Sequence, residues 1–569
     1  MQHPIGEHAL LADTRTAALI DPDGNVAWLC WPRVDATPLL FSILDADRGG
    51  RFSLRPAREE ARVLSRRYHL RSLVLETVWE VGVARLIVEE ALDLGDGPLL
   101  VRGLRAEGDA VDVMATVSAP AWPGAPASLR IFDHSLELDG VSLVVVHAPS
   151  RWEAKTDRAT CEFTVHPEAP QTVTLARANT TPRTTSIEPT LTAWRRRIPE
   201  LGPHSNTSSG TRDLLGTTAA VLLGLRRSDG GIVAAPTTSL PQWPGSARTW
   251  DYRYNWLRDS SLAALAMLRL GLIDQARSLG AFIGGVVMES GPVPLVRVDG
   301  SAPPGETVVA DLAGYGGARP VRIGNAAAGQ AQLDVPGEVI ELATSLAGAS
   351  ALPDELRSAV PILAGWLVEH WREPDHGIWE IRGVPARYTH SLISAVSGLR
   401  SAAALADRRA VSGDPAGWRG AAAAAATDLG TSSGALELRL DGGGADAALA
   451  QGAYLSGLEA VAHRVGPTLE LIADRLARDG LVDRYEGQPD RLVDPCAPFV
   501  FPTFWLAGAF TATGRDGSRW LETVLATRGP LGLFGEVADP GDHSPLGNYP
   551  QVQSHAAFVL AVVAPEISS

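Results

Sequence analysis

Near residue 200 the chain changes the period on which its apolar residues recur, and few architectures accommodate that change. Residues 1 to about 187 carry short alternating runs: Ala84 to Ala91 (ARLIVEEA), Ala110 to Thr116 (AVDVMAT) and Val141 to Val146 (VSLVVV). Turn residues such as Leu138-Asp139-Gly140 separate them. Many short strands with turn punctuation predict an N-terminal antiparallel β-sandwich over 1–187. Glu188 to Leu201 (EPTLTAWRRRIPEL) then reads as a linking helix within a 188–209 connection. From Thr211 onward long Ala- and Leu-rich segments take over. The helical spacing predicts twelve helices, near 211–226, 258–271, 272–288, 326–349, 353–372, 388–409, 414–431, 445–464, 466–479, 497–514, 517–529 and 549–564. Several are apolar nearly all round, as at Ser401 to Leu405 and Ala421 to Ala426, and a helix without a polar face is buried. A dozen such helices predict two layers, one inside the other: an α/α toroid over 210–569. Two domains also suit 569 residues, since single cores stop growing near roughly 250–300.

Charge and cysteine usage narrow the function. A formal net charge of −15 argues against nucleic acid and against an anionic membrane surface, both of which call for clustered positive charge. No run of about 18 apolar residues is present to span a membrane. The start, MQHPIGEHALLADTRTAAL, lacks a basic segment followed by an apolar one, so no secretory leader is expected there. Cys30, Cys161 and Cys496 are odd in number and far apart, which predicts neither a disulfide framework nor a metal cluster and suits a reducing cytoplasm. The histidines lack metal-ligand spacing, and no Gly-rich phosphate cradle precedes a helix. Activity is therefore expected without metal, nucleotide or other cofactor. The oligomeric state stays open.

Four long loops, at 232–259, 310–325, 373–390 and 530–551, are rich in Trp, Arg, Asp, Glu and Gly. Loops that long in a compact domain are usually functional. The first runs Trp250-Asp-Tyr252-Arg-Tyr-Asn-Trp256-Leu-Arg258-Asp259 at its end. It is either a surface loop pinned by aromatic packing and ion pairs, or a polyol site. In a polyol site Arg258 and Asp259, adjacent at a helix start, would converge on hydroxyls while Tyr252 and Trp256 offer flat faces. The third loop holds Trp379-Glu380-Ile381 and Arg382, and the last holds Gly535-Glu536-Val537. Burial among apolar neighbours raises a carboxyl pKa, as a general acid near neutrality requires. Taken singly, each carboxylate reads first as structural, and spacing alone does not pair them.

In order and spacing these segments resemble glycoside hydrolase family 15, which includes glucoamylases, bacterial trehalases and related exo-glucosidases. The resemblance is carried by IGEHALLADTRTAALIDPDGNVAWLCWPRVDATPLLFSILD, SLPQWPGSARTWDYRYNWLRDSS, GYGGARPVRIGNAAAGQAQLDVPGEV, WREPDHGIWEIRG and LGNYPQVQSHAAF, spread from Ile5 to about Ala564. It implies a β-sandwich followed by an (α/α)6 barrel, and an inverting exo-acting hydrolase that releases glucose from a small α-glucoside such as trehalose or a malto- or isomalto-oligosaccharide. It implies Glu380 as general acid and Glu536 as general base, with two carboxyls spaced to admit a water. Arg258 and Asp259 would hold the terminal sugar, Trp256, Trp379 and Tyr252 would line the pocket, and Arg382 would meet the substrate. The loop Trp31-Pro-Arg-Val-Asp35 would approach the barrel mouth. The chain departs from the family pattern at His376, at Leu392 and Val396, and at Cys496. Those departures leave open a relative repurposed for a specialised intermediate, or one that binds sugar without turning it over. Retention of both Glu residues argues against the silent reading.

Overall fold

The computed structural model describes residues 2–563 except 96, 141–142, 156–157, 179–185, 201–207, 431–433, 456–457 and 459–460. Among the described residues the N-terminal part is built from three larger antiparallel sheets and a two-stranded hairpin, Ala121–Trp122 with Ala125–Pro126. Ala9–Ala12, Ala17–Ile20, Val26–Cys30 and Pro38–Leu40 form a four-stranded meander whose strand residues are all buried. Its strands do not alternate because one face meets an eight-stranded sheet and the other meets the helical domain, so both faces must be apolar. The eight-stranded sheet follows the order Ser128–Ile131, Ser135–Asp139, Val144–His147, Gln171–Arg177, Leu99–Glu107, Ala84–Leu92, Leu75–Val81, Arg62–Tyr68. A second four-stranded sheet, whose inner strands are Val111–Ser118 and Arg158–Val165, packs on it and completes the sandwich. The run expected at 141–146 is a strand from Val144 to His147; residues 141–142 lie outside the described ones.

Helix α1 (Glu188–Arg197) leads into the helical domain. There follow α2 (Ser209–Gly224), α3 (Leu257–Arg269), α4 (Ile273–Ser290), α5 (Asp334–Gly348), α6 (Asp354–His370), α7 (Thr389–Asp407) and α8 (Pro415–Asp428). A 3₁₀ segment (Ala447–Ala453) comes next, then α9 (Ala462–Arg475), α10 (Val500–Ala512), α11 (Ser518–Ala526) and α12 (Val552–Val562). α3, α5, α7, the 3₁₀ segment, α10 and α12 each pack on the next, and α12 returns to α3, closing an inner ring. α2, α4, α6, α8, α9 and α11 pack outside it. This is the (α/α)6 barrel.

Two expected helices are corrected. The one placed at 445–464 is the short 3₁₀ segment Ala447–Ala453 instead, and α9 already begins at Ala462; residues 456–457 and 459–460 lie outside the described ones. Glycines 442–444 and Gly452 weaken helix propensity there, and the Asp446 carboxylate caps the backbone by accepting from Ala448 N at 2.9 Å. The helix placed at 326–349 splits into a 3₁₀ turn (Ala326–Gly329) and α5, because the chain between them extends to deliver Gln330 and Gln332 to the barrel mouth.

The two domains are joined by buried polar contacts as well as apolar ones. The Trp28 indole donates to Pro236 O at 2.8 Å. Arg253, 1% exposed, is held by Asp251 at 2.7 Å and donates to Ala36 O of the β domain at 2.6 Å. Arg253→Met would leave Asp251 buried without its cation. We expect urea unfolding to show a loss of about 3–5 kcal/mol; a loss below about 1 kcal/mol would show that the joint does not depend on this pair.

Candidate active site

The inner helices and the 3₁₀ segment all begin at the same end of the barrel, and the residues opening them line one pocket. Arg258 and Asp259 open α3, Phe499 and Phe501 open α10, and Gln551 and Gln553 flank the start of α12. Helix N-termini carry partial positive charge, so carboxylates gathered there are stabilised. The cavity measures about 480 Å³ and is also lined by Tyr252, Trp256, Trp379, Glu380, Arg484 and Glu536.

Glu380 and Glu536 reach this pocket from loops far apart in sequence. The Glu380 loop is pinched where Asp375 and Ala386 exchange backbone hydrogen bonds, both 2.9 Å. Glu380 itself takes a left-handed backbone, φ 56°, which an ordinary side chain adopts only when its surroundings impose it. Its Oε1 accepts from the Trp256 indole at 2.6 Å, from Arg258 at 3.2 Å and from Gln332 at 3.4 Å. Glu536 is 2% exposed. Its Oε1 accepts from the Tyr252 hydroxyl at 2.5 Å and Gln242 Nε2 at 2.9 Å, while Oε2 has no protein partner. Tyr252 and Trp256 meet edge to face, with centroids 5.6 Å apart. One carboxyl, two rings and the other carboxyl thus form a strut across the pocket.

Gly547 lies beside this strut with φ 72°. A Cβ there would fall 2.7 Å from Glu536 Oε2, so only glycine leaves that oxygen open.

Arg258 is held by protein groups at both terminal nitrogens, while its Nε makes no hydrogen bond. Asp334 and Gln332 each accept from it at 3.2 Å, Asp259 lies 3.5 Å from Nε, and Glu380 takes the remaining nitrogen. Burial pushes Asp259 up to about 6 against the pull of Arg258, and its Oδ2 has no partner. Burial likewise pushes Glu536 up to about 7, although Tyr252, Arg484 and Gln242 act the other way. The apolar flanks in sequence pointed to desolvation at Glu380 as much as at Glu536. In three dimensions Trp379 turns its ring away, donating to Asp446 at 2.7 Å and stacking near Phe501. The Glu380 side chain keeps 21% exposure and three N–H donors.

Of the residues singled out in the sequence, Tyr252, Trp256, Arg258, Asp259, Trp379, Glu380 and Glu536 come together here. Arg382 does not reach this pocket. It lines an adjoining outer cavity of about 420 Å³, with both guanidinium ends on Glu306 at 2.8 and 2.6 Å and its face over Trp250. The Trp31–Asp35 loop docks on the helical domain through Arg33 to Asp299 at 2.8 Å and is absent from the pocket lining. Sequence reasoning missed Gln242, Arg484, Phe501 and Gln553. Gln242 and Gln553 stood inside segments already singled out. Arg484 sat in a stretch that reads as an ordinary polar turn. The departures lie off the pocket wall: Leu392 and Val396 are core of α7, His376 contacts Ala331 O, and Cys496 touches Gln242 Oε1 at 3.4 Å.

The profile of Glycosyl hydrolases family 15 matches residues 218–526, and that of Trehalase-like, N-terminal matches residues 1–197. The chain is similar to the Trehalase of Mycobacterium tuberculosis, 32% identical over 98% of this chain and 89% of that one. It is also similar to Trehalase 1 of Sulfolobus acidocaldarius, 29% identical over 96% of each chain. Among solved structures, a bacterial glucoamylase complexed with acarbose superposes with a TM-score of 0.70 at 13% identity, over 98% of this chain and 94% of that one, which shows a common fold.

Because Glu536 takes up its proton at a higher pH in the folded chain (about 7) than in the unfolded one (about 4.5), the folded state binds more protons between those values. Its burial therefore weakens the fold progressively as pH rises through that window. Gln keeps both donors to Oε1 and removes the charge. We expect Glu536→Gln to be more stable than the parent at pH 8, on the order of 1–3 kcal/mol, and indistinguishable at pH 4. Equal stability at pH 8 would contradict this electrostatic picture.

Proposed function

The chain belongs to glycosyl hydrolases family 15, a glycoside hydrolase family, and from that premise we propose that it is an inverting, exo-acting α-glucosidase whose substrate is a small α-glucoside, trehalose first. The single observation that carries the reading is the strut. It sets two carboxyls apart across one pocket and leaves one oxygen of Glu536, Oε2, without a protein partner. Residues 210–569 form the catalytic domain, 188–209 the connection and 1–187 the supporting sandwich. Among the described residues no helix is long and apolar enough to cross a membrane. The three cysteines are free, which supports a reducing, cytoplasmic setting.

The terminal glucose enters the inner pocket, where Asp259 Oδ2 accepts from a hydroxyl and the Tyr252, Trp256 and Trp379 rings meet its C–H faces. The second sugar occupies the outer cavity beside Arg382 and Trp250. Glu380 is fixed through Oε1, so its other oxygen carries the proton given to the glycosidic oxygen. Glu536 Oε2 takes a proton from a water on the opposite face. The water oxygen bonds to the anomeric carbon as the glycosidic bond breaks, and configuration inverts. Trehalose is favoured by the relatives named above and by two linked cavities, whose walls share Tyr252, Trp379, Glu380 and Arg484.

Glu380→Gln and Glu536→Gln should each lower kcat on trehalose by about 10²–10⁴-fold. A glucosyl fluoride, which needs no acid, should rescue only the first. The parent's kcat/KM should fall below about pH 7, where Glu536 becomes protonated in the free enzyme. Near-normal turnover in either variant, or a kcat/KM flat from pH 5 to 8, would defeat these roles.

A further inference from the structure

At the opposite end of the barrel a second cavity of about 800 Å³ opens among the inner helices. Its deep wall carries two buried polar atoms with no partner: Glu338 Oε1 (residue 2% exposed) and Gln451 Nε2 (residue 5% exposed). Glu341, one turn further along α5, lines the same space and accepts from Ser397 at 2.5 Å and Ser401 at 2.9 Å. The rest of the lining is mostly apolar, with Phe504, Trp505 and Leu262 prominent.

Three features agree on the sign of a ligand. Two carboxyl groups stand on one face of α5. The inner helices present their C-terminal, partially negative ends toward this side of the barrel. The aromatic walls offer faces that attract cations. A buried carboxyl without a partner is costly unless something supplies the missing contact.

We propose that this rear cavity is a binding site for a small primary ammonium ion with a short apolar tail, the ammonium resting on Glu338 and Glu341 and the tail on the Phe504, Trp505 and Leu262 wall. Nothing in the hydrolytic reading uses this site, and the proposal does not rest on that reading. Burial holds Glu338 up to about 8, so binding a cation releases its proton and affinity rises with pH through that value. The other ionisable groups around Glu338 are Asp334 and Glu341 on α5, Arg258 and Asp259 on α3, His390 on α7 and Arg269 at the rim. His390, lowered to about 4 by burial, stays neutral throughout.

The test is calorimetric titration of the full-length protein with n-butylammonium chloride, with n-butanol as the uncharged control. Saturable binding is expected at pH 8.5, at least about tenfold tighter than butanol and on the order of 50–100-fold tighter than at pH 6. It should be lost in Glu338→Gln and in Ala561→Leu, which fills the cavity from its rim, and kept in Glu536→Gln, which alters only the catalytic pocket. Equal affinity for butanol, no saturable binding at pH 8.5, or binding retained in both cavity variants would overturn the assignment.

Discussion

Everything at the mouth of this barrel depends on one short extended segment, Asp251 to Trp256. Its side chains diverge. Asp251 and Arg253 turn toward the β domain and form a buried ion pair that also reaches Ala36 O. Asn255 turns inward and accepts from Ile232 N at 2.9 Å and Ser260 at 2.6 Å. Tyr252 and Trp256 turn into the pocket and hold Glu536 and Glu380. The contact that docks the sandwich is thus on the same strand of chain as the contact that spaces the two carboxyls. That gives the N-terminal domain a physical role without placing any of its side chains in the pocket wall.

Electrostatically the barrel axis is crowded with acids. Asp259, Glu338, Asp375, Asp446 and Glu536 are all raised, burial being the leading cause in each. Three of them are partly satisfied: Asp375 accepts from Leu333 N and Ser391, Asp446 from Trp379, and Glu536 from Tyr252 and Gln242, while the inner helix N-termini converge on the mouth. Such a centre gives up stability as pH rises in return for groups that titrate near neutrality, where proton transfer is most effective.

How far the sequence revealed this differed by level. The switch from alternating strands to all-round apolar helices was legible because burial on every side leaves no polar face to hide. The inner ring broke the pattern where glycines and the Asp446 cap replaced a helix with a 3₁₀ turn, and where the extended chain at Gln330 to Gln332 delays the start of α5. The pocket was legible in part. Arg258, Asp259, Glu380 and Glu536 stood out through the order of whole segments, not through local chemistry. The apolar flanks of Glu380 misled, because in a left-handed turn adjacent side chains point apart and Trp379 packs on Phe501 instead. Arg484 and Gln242 were invisible locally, since their approach to Glu536 is made by packing between segments far apart in the chain.

We propose that the two carboxyls act from opposite faces of one sugar, so that water replaces the leaving group with inversion. Proton NMR of the first products formed from α,α-trehalose, read before mutarotation, tests this most directly. Inversion at one anomeric carbon, with the departing sugar left unchanged, predicts equal initial amounts of β- and α-glucose. Initial release of α-glucose alone would contradict it.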